Sequence, residues 1–221
     1  MISISTASQL AAPPIACSVA VALLLRAEAR GSRRCIWIWK PLAAASFLAA
    51  AWLWGAPSSE YGRRILVGLT LCACGDVLLI PRGETSFRLG LGAFLCGHLA
   101  YAAAFLTLPT PLPVLVPAAL GIALVLWRVW RWLAPHLPAR ERVPVSAYFA
   151  AIGAMGALSI GAVAVGAPIA AALGALGFMT SDLSVARERF VAKGFRNAAW
   201  GLPLYFASQL LLAWSSAGTS P

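Results

Sequence analysis

Charged side chains are scarce in this chain. Asp, Glu, Lys and Arg make up 11% of its 221 residues, against 61% that are hydrophobic, and the mean hydropathy is +0.82. That balance excludes a fold whose main solvent is water. Acid is scarcer still, with seven Asp and Glu against seventeen Lys and Arg, for a net charge of +10. Histidine occurs only as His98 and His136, too few for a zinc hydrolase that gathers several histidines, and His136 sits in a basic loop. No GxSxG occurs, and Ser159 and Ser181 lack a matching His–Asp arrangement, which argues against a serine hydrolase. Alternating strands of about ten residues are absent, which argues against a membrane barrel. No aromatic and basic platform offers itself to nucleic acid, so the positive charge is expected to meet anionic lipid headgroups in a bilayer.

Cysteine is present but not in a pattern that binds or bridges. Cys17, Cys35, Cys72, Cys74 and Cys96 fall in or beside apolar runs, where cysteine behaves as a small hydrophobe. Cys72 and Cys74 form a CxC, and on a helix such a pair points to roughly opposite faces, which favours neither zinc nor a disulfide. No metal and no cofactor is expected.

What is abundant is apolar helix. A span needs about 20 mostly apolar residues, and breaks at charge, Pro and Gly divide the chain into windows near 8–26, 36–54, 65–81, 89–108, 112–132, 144–163, 166–182 and 197–214. The first lacks both a basic lead and a clean small-residue cleavage site, so it reads as a retained helix, not a signal peptide. Little chain is left between windows. The expected fold is all-α, a polytopic membrane bundle of about eight transmembrane helices forming one domain over 1–221, because backbone polar groups in lipid must be satisfied within helices.

Basic residues set its orientation. Arg26, Arg30, Arg33 and Arg34 follow the first helix; Arg82 and Arg88 separate the third and fourth; Arg128, Arg131, Arg140 and Arg142 separate the fifth and sixth; Arg187, Arg189, Lys193 and Arg196 separate the seventh and eighth. Only Arg63 and Arg64 lie on the other side. Both termini are expected outside, with the four basic loops in the cytoplasm, the arrangement of a bacterial inner-membrane protein.

An ionisable residue inside a span is costly and is a functional candidate by default. Glu28, Glu60, Glu84, Glu141 and Glu188 sit among arginines and read as solvated loop charges. The two aspartates differ. Asp76 (CACGDVLLI) and Asp182 (GFMTSDLSVA) each end an apolar helix. Asp76 is six residues from Arg82 and Asp182 five from Arg187, which places both roughly 8–9 Å below the basic interface. Lys40 and Tyr148 reach the same layer. His98 with Tyr101, and Tyr205 with Gln209, lie deeper, each pair sharing a helix face. These groups come from six helices and open toward the cytoplasm, as a site does. The competing reading is a hydrogen-bond network that only ties the bundle together. The two halves also echo one another: Gly68 precedes Asp76 by eight residues as Gly174 precedes Asp182, and Phe87-Arg88 and Phe195-Arg196 follow. A weak four-plus-four internal repeat fits that echo.

The string G-D-x-x-L at Gly75, Asp76 and Leu79, followed by Leu91, Gly92, the neighbourhood of Phe94, His98 and Tyr101, resembles the YhhN/TMEM86 family of lysoplasmalogenases. Lys40-Pro41, then Gly177-Phe178, Ser181-Asp182 and Phe190, then Tyr205 with Gln209, extend the resemblance in order from residue 40 to 209. It implies a lysophospholipid substrate whose vinyl-ether bond is hydrolysed to a fatty aldehyde and a glycerophospho-base. That reaction protonates the β-carbon of the vinyl ether, which needs one carboxyl still carrying its proton and one anionic group to steady the oxocarbenium ion. Asp76 and Asp182 are expected to divide these roles, in an order the sequence leaves open. His98 is expected to relay the proton; Lys40, Tyr101, Tyr148, Tyr205 and Gln209 are expected to hold the substrate, Lys40 with a loop arginine at its phosphate. A proton-coupled transporter or lipid-handling protein using the same aspartates is the alternative, and a purely structural membrane subunit comes third.

Overall fold

Apolar runs of helix-forming residues, punctuated by Pro, Gly and charge, become helices here as the windows predict. The structure is a computed structural model and describes residues 4–81 and 83–217, with side chains from residue 10 onward. Arg82, used above for charge and depth, lies outside the described residues. Those residues form α1 (Ile4–Ala29), α2 (Arg33–Leu53), α3 (Glu60–Leu78), α4 (Glu84–Phe105), α5 (Leu112–Leu133), α6 (Ala139–Ala164), α7 (Ile169–Ala186) and α8 (Phe195–Ser215). Every window read from the sequence falls on one of them in order.

Among the described residues, six helices are long and apolar enough to cross a membrane; α3 and α8 are not among them. The reason is their polar content. α3 carries Glu60, Arg63, Arg64 and Asp76, and α8 carries Arg196, Asn197 and Gln209. Both are nevertheless packed among the other helices, α3 on α2, α4 and α8, and α8 on α1, α2, α3 and α7. At the opposite extreme, α5 packs chiefly on α6 and turns Leu112, Val116, Leu120 and Leu124 outward at every fourth position, each more than half exposed. A single apolar stripe that touches no protein is what a lipid-facing helix presents.

The tightest pairings are α3 with α4 and α7 with α8, and glycine makes both possible. A Cβ on Gly68 would lie 2.3 Å from the Tyr101 ring, and one on Gly174 would lie 2.9 Å from the Ser208 carbonyl oxygen. The glycine that lets α4 close on α3 above Asp76 is Gly90, where a Cβ would come within 2.6 Å of Leu79. Gly92, the position matched from the sequence, faces open space.

Three glutamates expected in loops instead begin helices: Glu60, Glu84 and Glu141 occupy the first turns of α3, α4 and α6, where the helix dipole favours negative charge. Glu141 is moreover buried. Its Oε1 lies 3.3 Å from Arg88 and 3.5 Å from Arg140, so neighbouring guanidinium groups replace the water that a solvated carboxylate would need.

Candidate functional site

Asp76 sits in the last turn of α3 and Asp182 one turn before the end of α7, at the end of the bundle that carries the arginine-rich connections. Lys40, in the first half of α2, comes to the same level from the opposite chain direction. The layer inferred by counting residues is therefore realised as contacts. Lys40 Nζ lies 3.4 Å from Asp76 Oδ1, and the Tyr205 hydroxyl of α8 donates to Asp76 Oδ2 at 2.7 Å. Asp76 is only 2% exposed, so its charge is met by an ammonium and a hydroxyl in place of water.

Asp182 gathers a second set. The Tyr148 hydroxyl of α6 donates to its Oδ2 at 2.8 Å, and His98 Nε2 of α4 stands 3.3 Å from the same oxygen. The contact is not a hydrogen bond, and Nε2 is buried without a hydrogen-bond partner among the described residues. His98 Nδ1 is 2.7 Å from the Phe94 carbonyl oxygen. A carbonyl can only accept, so Nδ1 carries a proton, and in a neutral ring Nε2 offers its lone pair toward Asp182.

No hydrogen bond or ion pair joins the two carboxylates among the described residues. Aromatic rings link their surroundings instead. Phe178 stacks on His98 at 4.1 Å between centroids and tilts against Tyr205 at 5.4 Å, and Phe94 meets Tyr205 edge-on at 5.8 Å. Tyr101 and Gln209 form a third, separate pair: the Tyr101 hydroxyl donates to Gln209 Oε1, both residues are fully buried, and Gln209 Nε2 has no partner among the described residues.

The two aspartates differ in what they face. A crevice runs between α4, α5, α6 and α7, with Leu79, just after α3, also on its wall. Of its sixteen lining residues only Tyr148 and Asp182 bring polar side-chain groups. Asp182 is 14% exposed along its side chain. Asp76, Lys40, Tyr205, Tyr101, Gln209 and His98 do not line it.

Inspecting ionisable residues alone missed Asn197, which is 2% exposed in the first turn of α8. Its amide donates to Glu188 Oε2 at 2.6 Å and to the Ala192 carbonyl at 2.7 Å, and it accepts from Arg187. The signal was there in principle: an amide sitting in a cluster of basic and acidic residues just before an apolar helix.

Comparison with known proteins places this chain in a family. The YhhN family model matches residues 35–216. The chain is 32% identical over 192 residues to "Lysoplasmalogenase TMEM86A" of Bos taurus, covering 82% of this chain and 73% of that protein. Its counterpart in Homo sapiens is 33% identical over 190 residues with the same coverage. "Lysoplasmalogenase" of Mycobacterium tuberculosis (strain CDC 1551 / Oshkosh) is 33% identical over 180 residues, 77% of this chain and 66% of that protein. No solved structure matches the chain. With eight packed helices, two partnered aspartates within them and a family match across most of its length, this chain belongs to the YhhN family.

Proposed function

We propose that the protein is an integral membrane lysoplasmalogenase that hydrolyses the vinyl-ether bond of a lysophospholipid. The observation that carries the reading is an apolar crevice with one carboxyl on its wall, partnered by a tyrosine hydroxyl and facing a buried imidazole. Relatives named lysoplasmalogenase support the substrate class. An alkenyl chain is apolar and suits such walls, while the reacting alkene needs one proton donor in a place where water is scarce.

In this reading Asp182 delivers its proton to the β-carbon of the vinyl ether. The alkene's π electrons form the new C–H bond, and the ether oxygen shares its lone pair to give the oxocarbenium ion. The Asp182 carboxylate left behind steadies that cation and accepts a proton from the water that adds to it. The hemiacetal then collapses, its hydroxyl proton passing to the glycerol oxygen, to release aldehyde and glycerophospho-base. His98, held by the Phe94 carbonyl, presents Nε2 to Asp182 and is the group placed to relay its proton. Asp76 supports the wall through Tyr205, with Lys40 balancing its charge. The active site opens on the face of the arginine-rich connections, taken as cytoplasmic.

The test is turnover in deuterated water. Asp182→Asn is expected to bind substrate and release no aldehyde, because the amide keeps the shape but cannot supply the proton. Wild-type aldehyde is expected to carry one solvent deuterium on its α-carbon, and the saturated alkyl-ether lysolipid should inhibit competitively without reacting. Aldehyde formed without that label, measured before any later exchange, rules out carbon protonation, and rapid cleavage of ester lysolipids points to acyl transfer instead.

A further inference from the structure

α7 does not end as an ordinary helix. Residues Arg187–Val191 widen into a π-turn, closed by the Ala192 amide donating to the Arg187 carbonyl at 2.8 Å. Such turns are rare and recur at functional sites. This one is pinned from the α8 side. Asn197 takes up Arg187, Glu188 and the Ala192 carbonyl, and the Gly194 amide donates to Glu188 Oε2 at 2.8 Å. With those side chains engaged, the turn presents Phe190 to the crevice and sets Arg189 against Phe87 beside it. Phe190 lines it, and the Arg189 guanidinium lies 4.3 Å from the centroid of Phe87, another lining residue.

The cations around this mouth are not equivalent. Arg88 is held by Glu84 at 2.9 Å and by Glu141 at 3.3 Å, and Arg140 reaches the same two carboxylates. Arg187 is held by Asn197. Arg189 is exposed, rests on an aromatic face, and has no carboxylate partner among the described residues. A guanidinium so placed keeps its donors free for a doubly hydrogen-bonded anion.

We infer that Arg189 binds the phosphate of the lysophospholipid at the mouth of the crevice and thereby sets which bond reaches Asp182. This assignment rests on the functional reading above. Seven residues separate Asp182 from Arg189, about 10 Å of helix rise. The seven bonds from phosphorus to the vinyl β-carbon extend about 8 Å. A phosphate at Arg189 therefore leaves the alkene beside Asp182 and the chain among Phe94, Ile152 and Met179 of the crevice. Lys40, in contrast, has its ammonium on Asp76 and does not line the crevice.

The experiment compares two vinyl ethers that differ only in charge, an alkenyl lysophospholipid and the corresponding 1-alkenylglycerol without phosphate. Arg189→Gln is expected to raise KM for the phospholipid roughly ten- to a hundredfold, the usual consequence of losing a charge-assisted pair, with kcat nearly unchanged. Its kinetics on 1-alkenylglycerol should match wild type, and Arg189→Lys should recover part of the phospholipid affinity. An unchanged phospholipid KM, or equal losses on both substrates, overturns the assignment. If wild-type protein releases aldehyde from neither compound, the functional reading fails by itself. Binding of the saturated alkyl-ether lysophospholipid then still decides Arg189: affinity lost in Arg189→Gln upholds the phosphate site, and affinity retained refutes it.

Discussion

At the scale of single residues, the two aspartates share a depth and a bundle end yet have different surroundings. Asp76 is sealed behind Lys40 and Tyr205, whereas Asp182 borders the crevice. The difference predicts opposite mutational signatures. Lys40→Met should destabilise the protein by about 3–5 kcal/mol, since it strands a buried carboxylate, and adding Asp76→Asn should recover most of that loss. A double-mutant cycle on thermal unfolding in detergent measures the coupling. A Lys40 that held substrate phosphate would instead leave stability alone and raise KM. The candidates were legible in the sequence because a carboxylate in an apolar run stands out. Their partners were only partly so: counting residues placed Lys40 level with Asp76 and Tyr148 level with Asp182, but no spacing rule says that Tyr205 turns to Asp76 while His98 turns to Asp182.

At the scale of elements, small residues govern how closely helices approach and so how the site closes. α7 meets α8 through Gly174, where a Cβ would press on backbone, the Ser208 carbonyl and the Leu212 amide nitrogen, each within 3.0 Å. Backbone in a packed helix cannot yield as a side-chain tip can. Gly174→Ala is accordingly expected to cost about 1–3 kcal/mol, the range for overpacking, seen as a lower melting temperature in detergent. Gly92→Ala, with nothing within 4 Å, should be neutral by the same measurement. Equal losses at both positions would mean that helix approach at Gly174 is looser than described. The echo of Gly68 and Gly174 acquires a physical meaning here. Each lies on the third helix of its half, where the following helix closes on it.

For the whole molecule, the placement of the arginines sets the expected orientation. In the sequence, fourteen basic residues lie in or flank the connections at one end, against Arg63 and Arg64 at the other. The Arg64 guanidinium donates to the Ala103 carbonyl at 2.8 Å and pairs with Glu60, so its charge is partly met by protein. Both termini are expected outside the cytoplasm. Reporter fusions at the C terminus check this, and a cytoplasmic signal would turn the crevice to face the other side of the membrane. A continuous polar path from that far side to Asp76, detected by labelling of single cysteines, would favour a proton-coupled transporter over a hydrolase.

Composition by itself determined that the chain is a helical bundle in lipid, because a backbone without water has few ways to satisfy its hydrogen bonds. Apolar runs broken at charge, Pro and Gly then delimited eight helices, and the scarcity of charge within them singled out Asp76 and Asp182. Only the tertiary structure decided what those residues do with one another. Which aspartate borders the crevice depends on how α4 to α7 splay, a long-range property that residue spacing does not encode. The same holds for Arg189. In the sequence it is one of fourteen basic residues flanking the loops, and it becomes distinct only when a π-turn pinned by a buried asparagine sets it on Phe87 at the edge of the crevice, while Arg88, Arg140 and Arg187 beside it are held by protein oxygens.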